Sequence, residues 1–353
     1  MKLLQFREPN ATRPERLGLV EGDQVIDLTE AGGPGSVYEL YYGGGGDEGG
    51  FLAAVEAAAK KASAARRLSL VDLLAARGVD GVHLDKPVSG PSHDPHKLRV
   101  WLAGVTHEDS AKLREIEARQ ATGGAVNVYE QKYRECAAGG RPELFSKGDP
   151  NTVVGHGHPL ARPADTERLV PETELVSVYG LNRRGQVERI GYTGGNDVTD
   201  NGIEATNPLN LPQAKNWSGG CASLGPILVT ADEYDDSDVT VSCEILRNGE
   251  RVGFKEGPTG QNNLNMPDGL LHMERSLFRR LPLEPGQLQV LYWGTPIVFS
   301  EADLASGLLA GDVAKLTFSG GIGTLENTIV PMPETTQLAD LERARARRST
   351  SDR

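Results

Sequence analysis

A strand-dominated α+β fold, with a small N-terminal α/β part ahead of a larger one, is what this chain of 353 residues predicts. Three observations carry the prediction. Glycine and proline are abundant, at 43 and 21 residues, which favours strands joined by turns over a helical bundle. Short apolar runs of strand length alternate with turn signals along most of the chain. A stretch rich in proline, serine and histidine, Pro87 to Pro95, interrupts that pattern and marks a boundary. The expected division is residues 1–95, residues 96–335, and a C-terminal helix with its tail over 336–353.

Taken in order, Lys2–Phe6 reads as the first strand, and Leu17–Val20 and Gln24–Leu28 flank Glu-Gly-Asp, a hairpin signal. The glycines at 43–46 and 49–50 read as a flexible connector, because no Lys-Ser/Thr follows and no strand-to-helix frame surrounds them. Residues 51–65 predict a helix and Leu70–Arg77 another. His93 and His96 read as solvated loop histidines. Arg99–Ala103, Leu288–Tyr292 and Val313–Phe318 then predict strands. Between them, Ser110–Gln120 is charged and helix-compatible, and Gly123-Gly124 follow; it suits a cover over a site as well as an ordinary surface helix. Leu338–Arg353 reads as an arginine-rich helix fading into a solvated terminus, with an oligomer contact as the alternative.

The net charge of -12 repels nucleic acid and anionic lipid, so neither is an expected partner. Cys136, Cys221 and Cys243 lack CxxC spacing, which argues against a zinc site or a disulfide framework and fits a reducing compartment. The first residues lack the apolar stretch of a leader, and no segment is long enough to span a bilayer, so a cytoplasmic protein is expected.

Chemistry concentrates at Glu172, Glu174, Asp197 and Lys215. In a strand, side chains at i and i+2 share a face, so the two glutamates project together near one strand end. Asp197, in Gly-Tyr-Thr-Gly-Gly-Asn-Asp, lies where a following strand brings it alongside. Hard oxygen ligands suit Mg²⁺, Mn²⁺ or Ca²⁺ far better than zinc. The plain alternative is an acidic strand face. Lys215, in Leu-Pro-Gln-Ala-Lys before an apolar segment, reads as partly buried against an anion. Lys147 reads as exposed by composition yet adjoins an apolar strand. Thr295, in Tyr-Trp-Gly-Thr-Pro, suits an oxyanion contact or a structural turn. His156 and His158 have metal-like spacing but no carboxylate nearby, and read as a loop. Serine-hydrolase, Walker and dinucleotide signatures do not occur.

At these residues the chain resembles the fumarylacetoacetate hydrolase superfamily. The matching runs are Pro-Glu-Thr-Glu-Leu-Val (171–176), Gly-Tyr-Thr-Gly-Gly-Asn-Asp-Val-Thr-Asp (191–200) and Ile-Glu-Ala-Thr-Asn-Pro-Leu-Asn-Leu-Pro-Gln-Ala-Lys (203–215). Gly-Thr-Pro-Ile-Val (294–298) and Gly-Ile-Gly-Thr-Leu-Glu-Asn (321–327) complete an ordered set over roughly residues 98–330. Within the superfamily, Ala-Gly-Val-Thr (103–106) and Arg-Pro-Glu-Leu-Phe-Ser-Lys (141–147) are most similar to the 2-keto-3-deoxy-pentonate (arabinonate and xylonate) dehydratases.

The resemblance implies a mixed β-sandwich roll assembled as a homodimer or homotetramer. It implies Mg²⁺, with Mn²⁺ as the alternative, on Glu172, Glu174 and Asp197. Glu143 is implied as acid/base, with Lys215 catalytic beside it, and Lys215 and Thr295 are implied to hold the substrate's oxyanion and carboxylate. Lys147, Glu204, Gly294 and Thr295 are implied to bind a small anionic 2-keto acid. The implied reaction is dehydration to 2,5-dioxopentanoate through a metal-stabilised enolate, as in oxidative pentose breakdown. Two departures stand out. Relatives often carry arginine where this chain has Asn201. The superfamily's hydrolases place a His-Glu pair on a lid, and here His107, Glu115 and Glu117 are present in a different spacing. The rival expectations are C–C hydrolysis of an acylpyruvate and non-catalytic binding of a sugar acid.

Overall fold

The computed structural model describes residues 1–30, 32–43, 50–123, 128–335 and 337. Most of the glycine connector expected at 43–50, the second glycine of Gly123-Gly124 and the Leu338–Arg353 helix lie outside the described residues.

Two large sheets, a two-stranded ribbon of Leu169–Val170 and Thr199–Asp200, and covering helices make a strand-dominated α+β fold. The larger, of 12 strands, runs from Arg67–Ser69 through Gln24–Asp27, Glu15–Glu21 and Lys2–Arg7. It continues through Ala222–Thr230, Val187–Asn196, Thr173–Leu181, Leu288–Tyr292 and Leu98–Gly104 to Glu143–Ser146. Lys2–Arg7 pairs antiparallel with Ala222–Thr230, Leu3 opposite Leu228, so the N-terminal strands and the later ones share one sheet. A five-stranded sheet of Glu250–Thr259, Val239–Arg247, Val313–Phe318, Gly323–Pro331 and Leu160–Arg162 packs against it.

Alternation along Thr173–Leu181 shows how the layers form. Leu175 and Tyr179 point into a core shared with Val241, Ile245, Leu316 and Leu325 of the smaller sheet. Val176 and Val178 point the opposite way, into a second core that Val37, Leu40, Phe51 and Val55 close from helices Val37–Gly43 and Gly50–Lys61. A strand buried on both faces reads as a near-continuous apolar run.

The Leu288–Tyr292 and Val313–Phe318 strands fall where the apolar runs predicted them. The helix expected over 51–65 is shorter, Gly50–Lys61, because a turn precedes the strand Arg67–Ser69. The one expected over Leu70–Arg77 ends at Ala75 and is capped by Ser69, which accepts from Asp72 N–H. The charged segment at 110–120 is helical from Glu108 to Thr122, ended by Gly123 at φ 63°.

This topology gathers the ends of several strands at one place. Thr173 pairs with Asn196, so Glu172 and Asp197 face each other just beyond the pairing. Gly104 pairs with Glu143, and Gly294 follows the end of Leu288–Tyr292. Ser110, Ala111 and Arg114 of helix Glu108–Thr122 line a cavity at this place.

Candidate active site

Glu172, Glu174 and Asp197 converge as strand periodicity predicts: one carboxylate oxygen from each lies within 4.8 Å of the others, and all three side chains are buried. Asp197 N–H donates to Glu172 O at 3.0 Å and Glu172 N–H to Asn196 Oδ1 at 3.1 Å, which fixes the approach of the two segments. Gly294 N–H donates to Glu174 Oε2 at 2.7 Å. Gly294 itself is at φ 85°, and a Cβ there would lie 2.1 Å from Thr106 Oγ1, so the position admits glycine alone.

Cations surround the triad. Lys215 Nζ donates to Glu172 Oε2 at 2.9 Å, Asp197 Oδ2 at 2.8 Å and Thr199 Oγ1 at 2.6 Å. Lys147 donates to Asp197 Oδ1 and, at 2.9 Å, to Val198 O. Composition suggested an exposed Lys147; it has no exposed surface at all, because its ammonium is the buried counter-charge of Asp197. Arg114 pairs with Glu172 and, at 2.9 Å, with Glu117.

Electrostatics separate the carboxyls. Burial pushes Glu172 up, but the charges of Lys215 and Arg114 outweigh it and hold the group below the usual range. Burial, Asp197 and Glu172 together push Glu174 well above it. Lys215 remains an ammonium, since Asp197 and Glu172 outweigh its desolvation. Three crowded carboxylates, one of them driven toward its neutral form, make an all-oxygen donor set that fits a hard divalent cation.

The cavity beside the triad has a volume of about 40 Å³. Glu143, Glu204, Lys215, Gly294 and Thr295 line it with the triad. Burial, then the Glu204 charge, raises Glu143 to about 7, partly offset by Lys215. Thr295 spends its hydroxyl locally, donating to Ile297 O at 2.6 Å. Lys147 lies behind Asp197 and is not among the described lining residues.

The three residues singled out for a lid are elsewhere employed. His107 begins helix Glu108–Thr122 and is bonded to Thr106 Oγ1 (2.9 Å) and Thr259 Oγ1 (3.0 Å), away from the cavity. Burial lowers its pKa to about 4. Glu115 accepts from the backbone N–H of Tyr129 at 3.1 Å and Glu130 at 3.3 Å, capping helix Val128–Ala137. Glu117 bonds Arg114, Arg168 and Asn201. Asn201 accepts from Arg168 and donates to Glu117 at 3.0 Å, a double role that a guanidinium, which only donates, cannot fill.

Sequence reasoning missed Arg114, Ser110 and Tyr129, all on the cavity wall. Ser110 and Arg114 are four residues apart and share a helix face, but a lone arginine in so charged a segment gives no distinguishing signal. The histidines of the His-x-His pair are loop ties, bonding Leu74 O at 2.8 Å and Leu84 O at 3.0 Å. His93 and His96 are exposed as expected. The three cysteines are free and buried. No helix among the described residues is long and apolar enough to cross a membrane.

Comparisons with known proteins follow the same residues. Residues 117–330 match the family described as fumarylacetoacetate (FAA) hydrolase C-terminal. A 2-dehydro-3-deoxy-D-arabinonate dehydratase of Saccharolobus solfataricus is 34% identical over 254 residues, 72% of this chain and 76% of its own. A Haloferax volcanii protein named "Probable 2-keto-3-deoxyxylonate dehydratase" is 34% identical over 231 residues, 65% and 71% of the two chains. A solved 2-keto-3-deoxy-D-arabinonate dehydratase complexed with magnesium and 2,5-dioxopentanoate superposes with a TM-score of 0.67 at 25% identity, covering 95% of this chain and 100% of its own.

Proposed function

The chain belongs to the fumarylacetoacetate hydrolase family, and from that premise we propose that it is a magnesium-dependent dehydratase of a 2-keto-3-deoxy-pentonate, forming 2,5-dioxopentanoate. The observation that carries this reading is the placing of Glu143, raised to about 7, on the same small cavity as the carboxylate triad and Lys215. The dehydratases among the relatives supply the substrate class.

Glu172, Glu174 and Asp197 would hold the ion, which as a Lewis acid makes the C3 proton of a 2-keto acid removable. A carboxylate oxygen of Glu143 takes that proton. Its raised pKa suits it then to return a proton to the C4 hydroxyl, which departs as water. The remaining C3–C4 double bond is conjugated with the keto group; moving a C5 proton to C3 gives the C4–C5 enol, and moving the enol's hydroxyl proton to C4 gives the terminal aldehyde. Lys215 orients Glu172 and Asp197 and contributes a fixed positive charge toward the developing oxyanion. Thr295 and Gly294 wall the substrate, and Gly294 N–H holds Glu174 in place. Manganese is the alternative ion, and a homodimer or homotetramer in the cytoplasm is the expected setting.

The C–C hydrolase reading is weaker because His107, Glu115 and Glu117 are not among the described residues that line the cavity. One assay separates the readings. Purified protein with 2-keto-3-deoxy-D-xylonate or 2-keto-3-deoxy-D-arabinonate and MgCl₂, coupled to an NADP⁺-dependent semialdehyde dehydrogenase, should produce NADPH only without chelator. Cleavage of acylpyruvates in place of this turnover would favour the hydrolase, and tight binding of the sugar acid without turnover the non-catalytic alternative.

A further inference from the structure

Among the described residues, two cationic side chains line the cavity, Lys215 and Arg114. Their donors are used very differently. Lys215 has three N–H donors, and the protein supplies three acceptors within 2.9 Å. Arg114 has five donors in a rigid fork. One terminal nitrogen bonds Glu117 and the other Glu172. Its Nε faces Glu204 Oε2 at 3.5 Å, and that oxygen completes no hydrogen bond although it is fully buried. Arg114 is itself 7% exposed. A buried guanidinium with donors to spare, on the wall of a cavity that five carboxyl groups and Lys215 also line, is poised for one more acceptor.

Ser110, Ala111 and Arg114 of helix Glu108–Thr122 line the cavity together with the triad. The Arg114–Glu172 pair bridges helix Glu108–Thr122 to the triad across this gap. A cation on the triad would compete with Arg114 for Glu172, leaving the guanidinium paired with Glu117 and Glu204 and one terminal nitrogen open to another anion.

We propose that Arg114 is the residue that binds the carboxylate of the 2-keto acid, exchanging Glu172 for the substrate when the site fills; Glu117, held by Arg168 and Asn201, is its positioning residue. This rests on the keto-acid reading above, and its test avoids turnover so that the two can fail separately. Pyruvate is the probe: it has the carboxylate and keto group but no hydroxyl to lose.

Pyruvate binding to the whole protein would be measured by calorimetry in saturating MgCl₂, with pyruvamide as the uncharged counterpart. Arg114→Gln should weaken pyruvate by about ten- to a hundredfold, the range of a lost charge-assisted hydrogen bond. Pyruvamide affinity should be the same in both proteins, and Mg²⁺ binding should be retained. Arg114→Lys, which keeps the charge and loses the fork, should fall between. Guanidinium chloride at millimolar concentration should restore part of the pyruvate affinity to Arg114→Gln and none to the unaltered protein. Equal pyruvate affinity in all three proteins overturns the proposal. So does a parallel loss of Mg²⁺ and pyruvate, which assigns Arg114 to the ion's framework, and so does an unaltered protein that ignores pyruvate. If Arg114→Gln does not fold, the Arg114→Lys comparison decides by the same criteria. A protein that binds pyruvate through Arg114 but dehydrates no sugar acid would keep this inference and lose the dehydratase reading.

Discussion

Gly104 and Glu143 are directly paired across two neighbouring strands, and a Cβ on Gly104 would fall 2.1 Å from Glu143 Oε2. The obstructing atom is the tip of a flexible side chain, so a methyl group there moves the carboxylate and leaves the sheet intact. Gly104→Ala should therefore lower kcat by about 10²-fold, within the range general acid–base catalysis contributes, while the unfolding midpoint in urea changes little. A large loss of stability with normal kcat per folded molecule would contradict this.

The pH profile isolates Glu143. In the proposed reaction its carboxylate form is the proton acceptor, and its pKa is raised to about 7. Activity should fall tenfold per unit on the acid side of a midpoint at or below 7, because a bound cation favours the charged form. Glu143→Gln should lose about 10²- to 10⁴-fold in kcat, and its residual rate should lack that acid limb.

His107 predicts a pH dependence of stability. Its pKa falls from 6.5 to about 4 on burial, so the unfolded chain takes up a proton between those values that the folded chain refuses. Stability is full above pH 6.5 and is lost as pH falls toward 4, by about 3 kcal/mol for this group at 1.36 kcal/mol per unit. Urea unfolding at pH 7 and pH 4.5 should show a smaller difference in His107→Gln than in the unaltered protein.

Lys147 tests the counter-charge. As a surface residue, its replacement would change stability by no more than about 0.5 kcal/mol. Buried against Asp197, Lys147→Met should cost about 3–5 kcal/mol in urea unfolding, since the carboxylate loses its partner. Excess MgCl₂ should recover part of that loss.

What the chain disclosed beforehand follows from the range of each signal. Glu172 and Glu174 were legible because two-residue periodicity is a local property of strands, and Asp197 because its strand directly follows. Strands such as Leu288–Tyr292 were visible as bounded apolar runs. Lys147 and Arg114 were not legible as buried cations. Lysine and arginine are mostly exposed unless paired, and their partners Asp197 and Glu172 lie 50 and 58 positions away. Asn201 looked like a missing charge; only its contacts with Arg168 and Glu117 show that the position needs a donor and an acceptor at once.

The sealed ammonium of Lys147 also bears on how the protein lives with a changing supply of metal. Its positive charge is stitched into the polypeptide and cannot diffuse away, so the acidic centre is never left wholly to repel itself. With the proposed ion gone, such a centre would keep the surrounding sheet together, because that charge stays in place. Output would then track the free cation of its surroundings, as a dimmer tracks its dial, with the folded molecule held in reserve between fillings.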